Sequence, residues 1–457
     1  MAKRVVVASI SGMLLCGAAA ADHARFEFAN VPGLGVEAMS MTWPRYINSQ
    51  GELAGICGVS NTHAFMFSAG ASIDLHPNTG TIASTIEDFN NFGQAVGQAC
   101  IPPAGGRDGP CGLYLFRSTP GAPTQQLFPG AACVGIQYFT NLLINDTGTI
   151  AGTFSTTTGQ GNAALTFNDW SGWINLSNLL PDPVNASIID LNNWEMYLIQ
   201  SGYNGPVYMF SSCTGAQLWL PAGYQATDLS DFGQVTGRAP NGHVFRFDGF
   251  GQPIDLDPQN RFPADMFSSG QESTRINNSG TIVGTWRDGF FMHNPQTGMV
   301  NLGSTLTPPT PDSVQFMHAA MLIGLNEQGE FTGAEFESYE PRPVIKLASH
   351  PLRRVQDVID PHRERIIVRS VSPINDDGQF AVTGTLPGTA STQITLLVTP
   401  LPPCHADFND DGAVGVQDIF DYLAAYFSND ARADMNGLTG ITIQDLFVFL
   451  AEYFAGC

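Results

Sequence analysis

Hydrophobic and polar positions along this chain fall into a recurring phrase, written most plainly as Ile276-Asn277-Asn278-Ser279-Gly280-Thr281-Ile282-Val283-Gly284. An apolar residue closes one run, polar or small residues follow, and β-branched residues open the next run at once. This is strand, turn, strand: Asn277 can bond its own backbone, Gly280 accepts positive φ, and Thr281 to Val283 favour extended structure. Gly284 is expected where another backbone comes close or the strand bends. With Phe or Leu allowed for Ile, the phrase begins at Ile47, Phe89, Ile144, Leu229, Ile276, Leu325 and Ile374, and a copy without the glycine begins at Leu191.

These eight copies are spaced by 38 to 55 residues, about 47 on average, the roughly 40 to 50 residues of a four-stranded propeller blade and twice a solenoid coil. Between copies stand a second apolar strand (His63 to Phe67; His243 to Phe247) and a short further one (Ser72 to Leu75; Pro253 to Leu256). The pattern predicts a mainly β chain folded as an eight-bladed propeller, with seven blades as the alternative. Arg25 to Val31 alternates like a strand but precedes the first copy, while the last unit runs out of chain after Gln393 to Thr399. A ring is most stable with no open sheet edge, so the first strand is expected to complete the last blade.

Helical periodicity appears only after Pro400-Leu401-Pro402-Pro403, read as a linker at residues 400–403 between a propeller at 22–399 and a module at 404–457. The stretch from Asp407 to Asp418 places oxygen-bearing residues at positions 1, 3, 5 and 12 and Gly412 at position 6, the spacing with which a loop converges on one hard cation, Ca²⁺. The helix that follows is expected to turn Ile419, Phe420, Leu423 and Phe427 to one face. The unit repeats 27 residues later, where Ile443-Gln444-Asp445-Leu446-Phe447 answers to Val416-Gln417-Asp418-Ile419-Phe420. In the second loop Leu438 and Thr439 replace the position-5 carboxylate and the turn glycine, so a site at Asp434, Asn436 and Asp445 is expected to be weak or empty.

Composition agrees with an exported β protein. Lys3 and Arg4, an apolar run from Val5 to Leu15 and small residues at Ala18 to Ala21 read as an export signal over residues 1–21. No later apolar run is long enough to span a membrane. A formal net charge of −22 excludes nucleic acid as a partner, since phosphate binding needs a basic field. Cysteines can pair in such a compartment: Cys404 and Cys457 stand at the two ends of a 54-residue module too small for a large core, and Cys100 and Cys111 flank a loop of the second unit. Cys57, Cys133 and Cys213 leave an odd thiol.

One stretch runs against the acidic trend. Arg353, Arg354, Arg363 and Arg365 lie in a basic segment from Arg342 to Arg369, read as a solvated excursion, with an anion site or a dock for the acidic module as the sharper alternatives. No Gly-x-Ser-x-Gly elbow, His-Glu-x-x-His helix or phosphate loop occurs, and no catalytic residue is named. His63 and His243, at matching blade positions, are expected to be structural hydrogen-bonders.

The Ile-Asn-x-x-Gly hairpin and the His63-Ala64-Phe65 strand resemble the HAF family of extracellular repeats, over roughly residues 47 to 400. The resemblance implies a secreted β repeat protein and no reaction. Two calcium loops, each followed by one helix, resemble a dockerin, and the Ala455-Gly456-Cys457 ending resembles the dockerin-like (GC-type) anchoring modules of planctomycete-type bacterial proteins. That resemblance implies calcium held by Asp407, Asn409, Asp411, the Ala413 carbonyl and Asp418, and a cohesin-like or other cell-surface protein as the module's partner. The expected whole is an exported, non-catalytic bacterial surface or matrix protein whose propeller takes a polysaccharide or protein ligand. The alternative is a carbohydrate-active enzyme, or accessory subunit, delivered by its dockerin.

Overall fold

The computed structural model describes residues 26–34, 42–58, 62–77, 81, 83–101, 112–127, 136–156, 161–182, 185–259, 274–286, 289–306, 319–337, 340–348, 350–359, 366–386, 393–400, 405–409, 414–435 and 440–455. They form two compact units, Phe26–Leu401 and one containing Pro402–Cys457. The expected export signal at 1–21 lies outside the described residues.

The first unit consists of eight separate four-stranded antiparallel sheets. In each, the strand before the Asn turn is an edge strand: Thr42–Ile47, Ala83–Phe89, Ile136–Ile144, Ala186–Leu191, Gln225–Leu229, Arg275–Ile276, Ala319–Leu325 and Ile367–Ile374, for blades 1 to 8. Each of these strands contacts its counterpart in the next blade, and that of blade 8 contacts that of blade 1, so the eight surround a central axis. The fold is a closed eight-bladed β-propeller, which sets aside the seven-bladed alternative.

Closure follows the expectation. Phe26–Asn30 is the outermost strand of blade 8, antiparallel to Gln393–Pro400 with Phe26 opposite Pro400 and Asn30 opposite Leu396. Pro400 therefore ends a strand and is not the first residue of a linker; with no N–H to donate, proline is tolerated at such an end. Thr42 Oγ1 donates to Thr395 Oγ1 at 2.7 Å across the seam, where Leu53, Phe65 and Phe67 of blade 1 pack with Ala381 of blade 8 and with Val31.

Because each sheet is covered by a neighbour on both faces, the second strands read as continuous apolar runs, such as Leu53–Cys57, and only the outer strands are exposed. The turn takes the expected form: Gly280 N–H donates to the Asn277 carbonyl, Thr281 N–H donates to Asn277 Oδ1 at 2.9 Å, and Gly280 has φ +77. At Leu191, where the glycine is missing, Glu195 adopts φ +55 in its place. The closing glycine has a cause that differs from the expected one at Gly284: a Cβ there would lie 2.3 Å from the ring of Phe291, its cross-strand partner. At Gly55 and Gly97 the expected cause holds, a Cβ there lying 2.1 Å from the backbone carbonyl oxygens of Trp43 and Thr85, and at Gly97 the ring of Phe116 crowds it as well. At Gly284 the glycine and the aromatic of the next strand are one packing unit, the ring covering the backbone that has no side chain.

In the second unit, helices Val416–Ser428 and Ile443–Ala455 bury Tyr422, Ala425, Ala433 and Phe449. Tyr422 and Phe449, 27 residues apart, stack at 4.1 Å between centroids and 2° between planes, so the sequence repeat is a pseudo-twofold whose axis passes between these rings. Ile419 and Leu423 pack against this core as expected, but Phe420 and Phe427 are 61 % and 80 % exposed. The helix has two apolar stripes, and the one carrying Tyr422 faces the partner helix. Among the described residues, no helix is long and apolar enough to cross a membrane.

Candidate functional site: the turn face, the axis and the C-terminal loops

The Asn turns do more than close hairpins. In six blades the side-chain amide of the phrase's Asn donates to the backbone carbonyl at the same position of the next blade: Asn90 to Asn145, Asn145 to Asn192, Asn192 to Ser230, Asn277 to Asn326, Asn326 to Asn375, and Asn375 to Asn48 at 2.9 Å. Blade 5 carries Ser230, whose hydroxyl is too short to extend the series. A second belt lies beside the first. The backbone N–H of Ser49 donates to the Asn91 side chain, and the same link runs from Asn91 to Asp146, Asn193, Asp231, Asn278, Glu327 and Asp376 in turn. The turn face is thus a rigid rim of carboxamides and carboxylates. Glu327 is pushed above the usual carboxylate range by partial burial and by the like charges of Asp376 and Asp231.

At the axis stands a charged group that sequence reasoning missed, at the position just before the phrase. Seven of the inner strands carry a bulge or irregularity next to this position, and in blades 2, 4 and 5 an Asp follows it and bonds the neighbouring blade. Asp88 Oδ2 accepts from Ile144 N at 2.7 Å, Asp190 Oδ2 from Leu229 N at 2.8 Å, and Asp228 Oδ2 from Ile276 N at 2.7 Å. Arg275 Nη1 donates to Asp228 Oδ1 at 3.1 Å. Burial pushes Asp88 up to about 7, opposed by its backbone hydrogen bonds and by Arg275. Asp190 is likewise raised by burial and then by the charge of Asp228. Asp88 on blade 2 and Arg275 on blade 6 act on each other across the ring, which puts both at its axis. Every one of these carboxylates is occupied by backbone N–H groups, so the group reads as a set of interblade staples. The signal was available: charged residues at one register of a repeat, in strands otherwise apolar.

His63 Nδ1 lies 2.9 Å from Asp74 and His243 Nδ1 2.8 Å from Asp255, matching contacts between the third and fourth strands of blades 1 and 5. Both histidines are structural, as expected. Of the basic segment, Arg353 and Arg354 occupy the outer strand of blade 7, where successive residues face opposite sides of the sheet, so the two are not brought into one patch. Arg363 and Arg365 lie outside the described residues. Cys100 is disulfide-bonded, and its expected partner Cys111 lies outside the described residues, as do Cys404, Cys457 and Cys133.

In the C-terminal unit Asp418 is buried, its Oδ1 accepting from Asn409 N at 3.1 Å and its Oδ2 from Gly415 N at 2.7 Å. Asp407 is buried beside the same loop, and Asp445, at the position equivalent to Asp418, accepts from Thr442 N at 2.7 Å. Asp434 Oδ1 is buried with no hydrogen-bond partner. Asp411, Ala413 and Asn436 lie outside the described residues. Among the described residues, no three His, Cys, Asp or Glu side chains are grouped to hold a metal.

The class is therefore a closed eight-bladed β-propeller followed by a small helical pair. No protein-family model matches the chain, and no curated protein matches it. Solved structures that match include the Dos1 propeller, at 12% identity and TM-score 0.48 over 81% of this chain and 95% of that one. They include the β-propeller domain of the trilobed protease from Pyrococcus furiosus, at 7% identity and TM-score 0.43 over 80% and 97%. Prolyl oligopeptidase B from Galerina marginata matches at 12% identity and TM-score 0.41, over 69% of this chain and 48% of that one. These likenesses concern the fold, and no residue role is taken from them.

Proposed function

We propose that the protein is an exported, non-catalytic surface or matrix protein of a bacterium, its propeller a binding platform and its C-terminal unit a calcium-dependent, dockerin-like attachment module. The observation that carries this reading is the pair of loop–helix units related by the Tyr422–Phe449 stack, with Asp418 and Asp445 buried at equivalent loop ends. Three buried acids and the unpartnered Oδ1 of Asp434 are costly in a unit this small unless a cation offsets them. The residues fit calcium: Asp407, Asn409, Asp411, the Ala413 carbonyl and Asp418 would hold one ion tightly, and Asp434, Asn436 and Asp445 a second more weakly. Bound there, calcium supplies charge neutralisation and fixes the loop. A surface for the module's partner is supplied by two matching sets of exposed apolar side chains, Val416, Phe420 and Phe427 on one helix and Ile443, Phe447 and Phe454 on the other.

Calorimetric titration of the whole chain with calcium tests the module. One tight site is expected, lost in Asp411→Ala and kept in Asp434→Ala; no tight site in the unsubstituted protein overturns the reading. Capture of a cell-envelope protein in calcium but not in chelator, lost in the Phe420→Ala/Phe447→Ala double variant, tests attachment.

A further inference from the structure

We propose that the turn face of blades 2 to 5 binds a neutral polysaccharide through a row of aromatic side chains. The inference deepens the platform reading and rests on it. The repeat supplies its own control. At the third residue of the Asn turn, blades 1, 3, 6, 7 and 8 carry Gln50, Thr147, Ser279, Gln328 and Asp377, ordinary residues for a solvent-facing turn. Blades 2, 4 and 5 carry Phe92, Trp194 and Phe232 at that position, exposed by 63 to 74 %. The turn does not require an aromatic, and exposing one in water gains nothing for the fold.

Two more stand beside them. Trp170 and Phe250, 99 % and 81 % exposed, sit on the connections between the third and fourth strands of blades 3 and 5. In a four-stranded antiparallel sheet those connections emerge at the same end as the turns between the first and second strands, so all five aromatics share one face. Their backbone is held in place. Phe92 N donates to Asn90 Oδ1 at 3.1 Å, Trp194 N to Asn192 Oδ1 at 3.0 Å, and Trp170 N to Asn168 Oδ1 at 3.1 Å. The turns carrying Phe92 and Trp194 are pinned to the next blade by the two belts, so little ordering entropy is left there to be lost on binding.

The kind of occupant follows from what lies between the rings. A protein interface has a contiguous apolar core; here single aromatic tips stand on separate turns, with Asn91, Asp146, Asn193 and Asp231 beside them. A sugar ring offers a face of C–H groups that stacks on an aromatic ring and a rim of hydroxyls that bond amides and carboxylates. A polymer of sugars repeats that pair of features along its length, as this face does from blade to blade. The rim carboxylates and the formal charge of −22 repel an anionic polymer, which leaves a neutral one.

Affinity electrophoresis of the full chain in gels containing hydroxyethyl cellulose, xyloglucan or galactomannan, with carboxymethyl cellulose as the anionic counterpart, tests the proposal. Retardation is expected in at least one neutral polymer and not in carboxymethyl cellulose. It should weaken at least tenfold in Trp194→Ala/Phe232→Ala and stay unchanged in Gln328→Ala, with the melting temperature of each variant unmoved. Retardation that survives the double substitution overturns this face while leaving a platform. No retardation in any neutral polymer, or retardation only in the anionic one, overturns the ligand class, and neither outcome touches the calcium titration.

Discussion

Ring closure by the first strand can be tested at one side chain. Phe26 is 7 % exposed, its ring edge-on to Phe380 at 6.0 Å between centroids, in the strand that completes blade 8. Truncating a buried Phe to Ala costs roughly 3 to 5 kcal/mol; an outermost strand can relax, so the low end, about 3 kcal/mol, applies to Phe26→Ala. With unfolding entropy of about 2.1 cal/mol/K per residue, a unit spanning Phe26–Leu401 gains roughly 0.8 kcal/mol/K on melting. The propeller transition should therefore fall by about 4 °C in differential scanning calorimetry. Glu27→Ala, an exposed residue of the same strand, should move it by less than about 1 °C. Deleting residues 22–32 also removes the buried Val31 and opens the edge of Gln393–Pro400, so the fall should exceed that of the point variant. A Phe26→Ala propeller that melts with the unsubstituted protein would refute closure by this strand as a source of stability.

Three further outcomes are expected. Ser230→Asn should complete the link to the Asn277 carbonyl that blade 5 lacks and raise the propeller's stability by about 1 kcal/mol, read as a higher denaturant midpoint at unchanged slope. Asp88 has a folded pKa of about 7, above its unfolded value, so the native state binds a proton that the unfolded chain does not; the stability this contributes is present in acid and is lost as pH rises through about 7. Asp88→Asn, which keeps an acceptor for Ile144 N–H, should flatten the fall in melting temperature between pH 5.5 and 8.5, and an unchanged profile would remove Asp88 from the account. Saturating calcium, at about 100 times its dissociation constant, should add roughly 2.7 kcal/mol to the C-terminal unit and leave the propeller transition alone, an effect absent in Asp411→Ala.

The repeat was legible because both faces of a blade are buried and its turns need particular residues, so the phrase recurs wherever the sheet does. Its spacing gave four strands per unit, and the orphan strand at Phe26–Asn30 found its partner because a ring leaves only one open edge. What reading the phrase alone could not show is where side chains go after they have served their own turn. An Asx turn uses only the side-chain oxygen, which Asp would supply equally well; seven of the eight copies nevertheless carry Asn. That choice makes sense once the amide is seen donating across to the next blade, as from Asn375 to Asn48 at the seam. The same argument separates the two stripes of the helix Val416–Ser428: periodicity marks both as apolar, and only the stacking of Tyr422 on Phe449 decides which is core. It applies again at Phe92, Trp194 and Phe232, whose hydrophobicity says core and whose place in the turn says solvent. Within a repeat, the residue that departs from what its own turn or strand requires is the one answering to something outside the unit. In Asn375 that is the neighbouring blade, and in Trp194, whose ring stands in solvent, it is the proposed ligand.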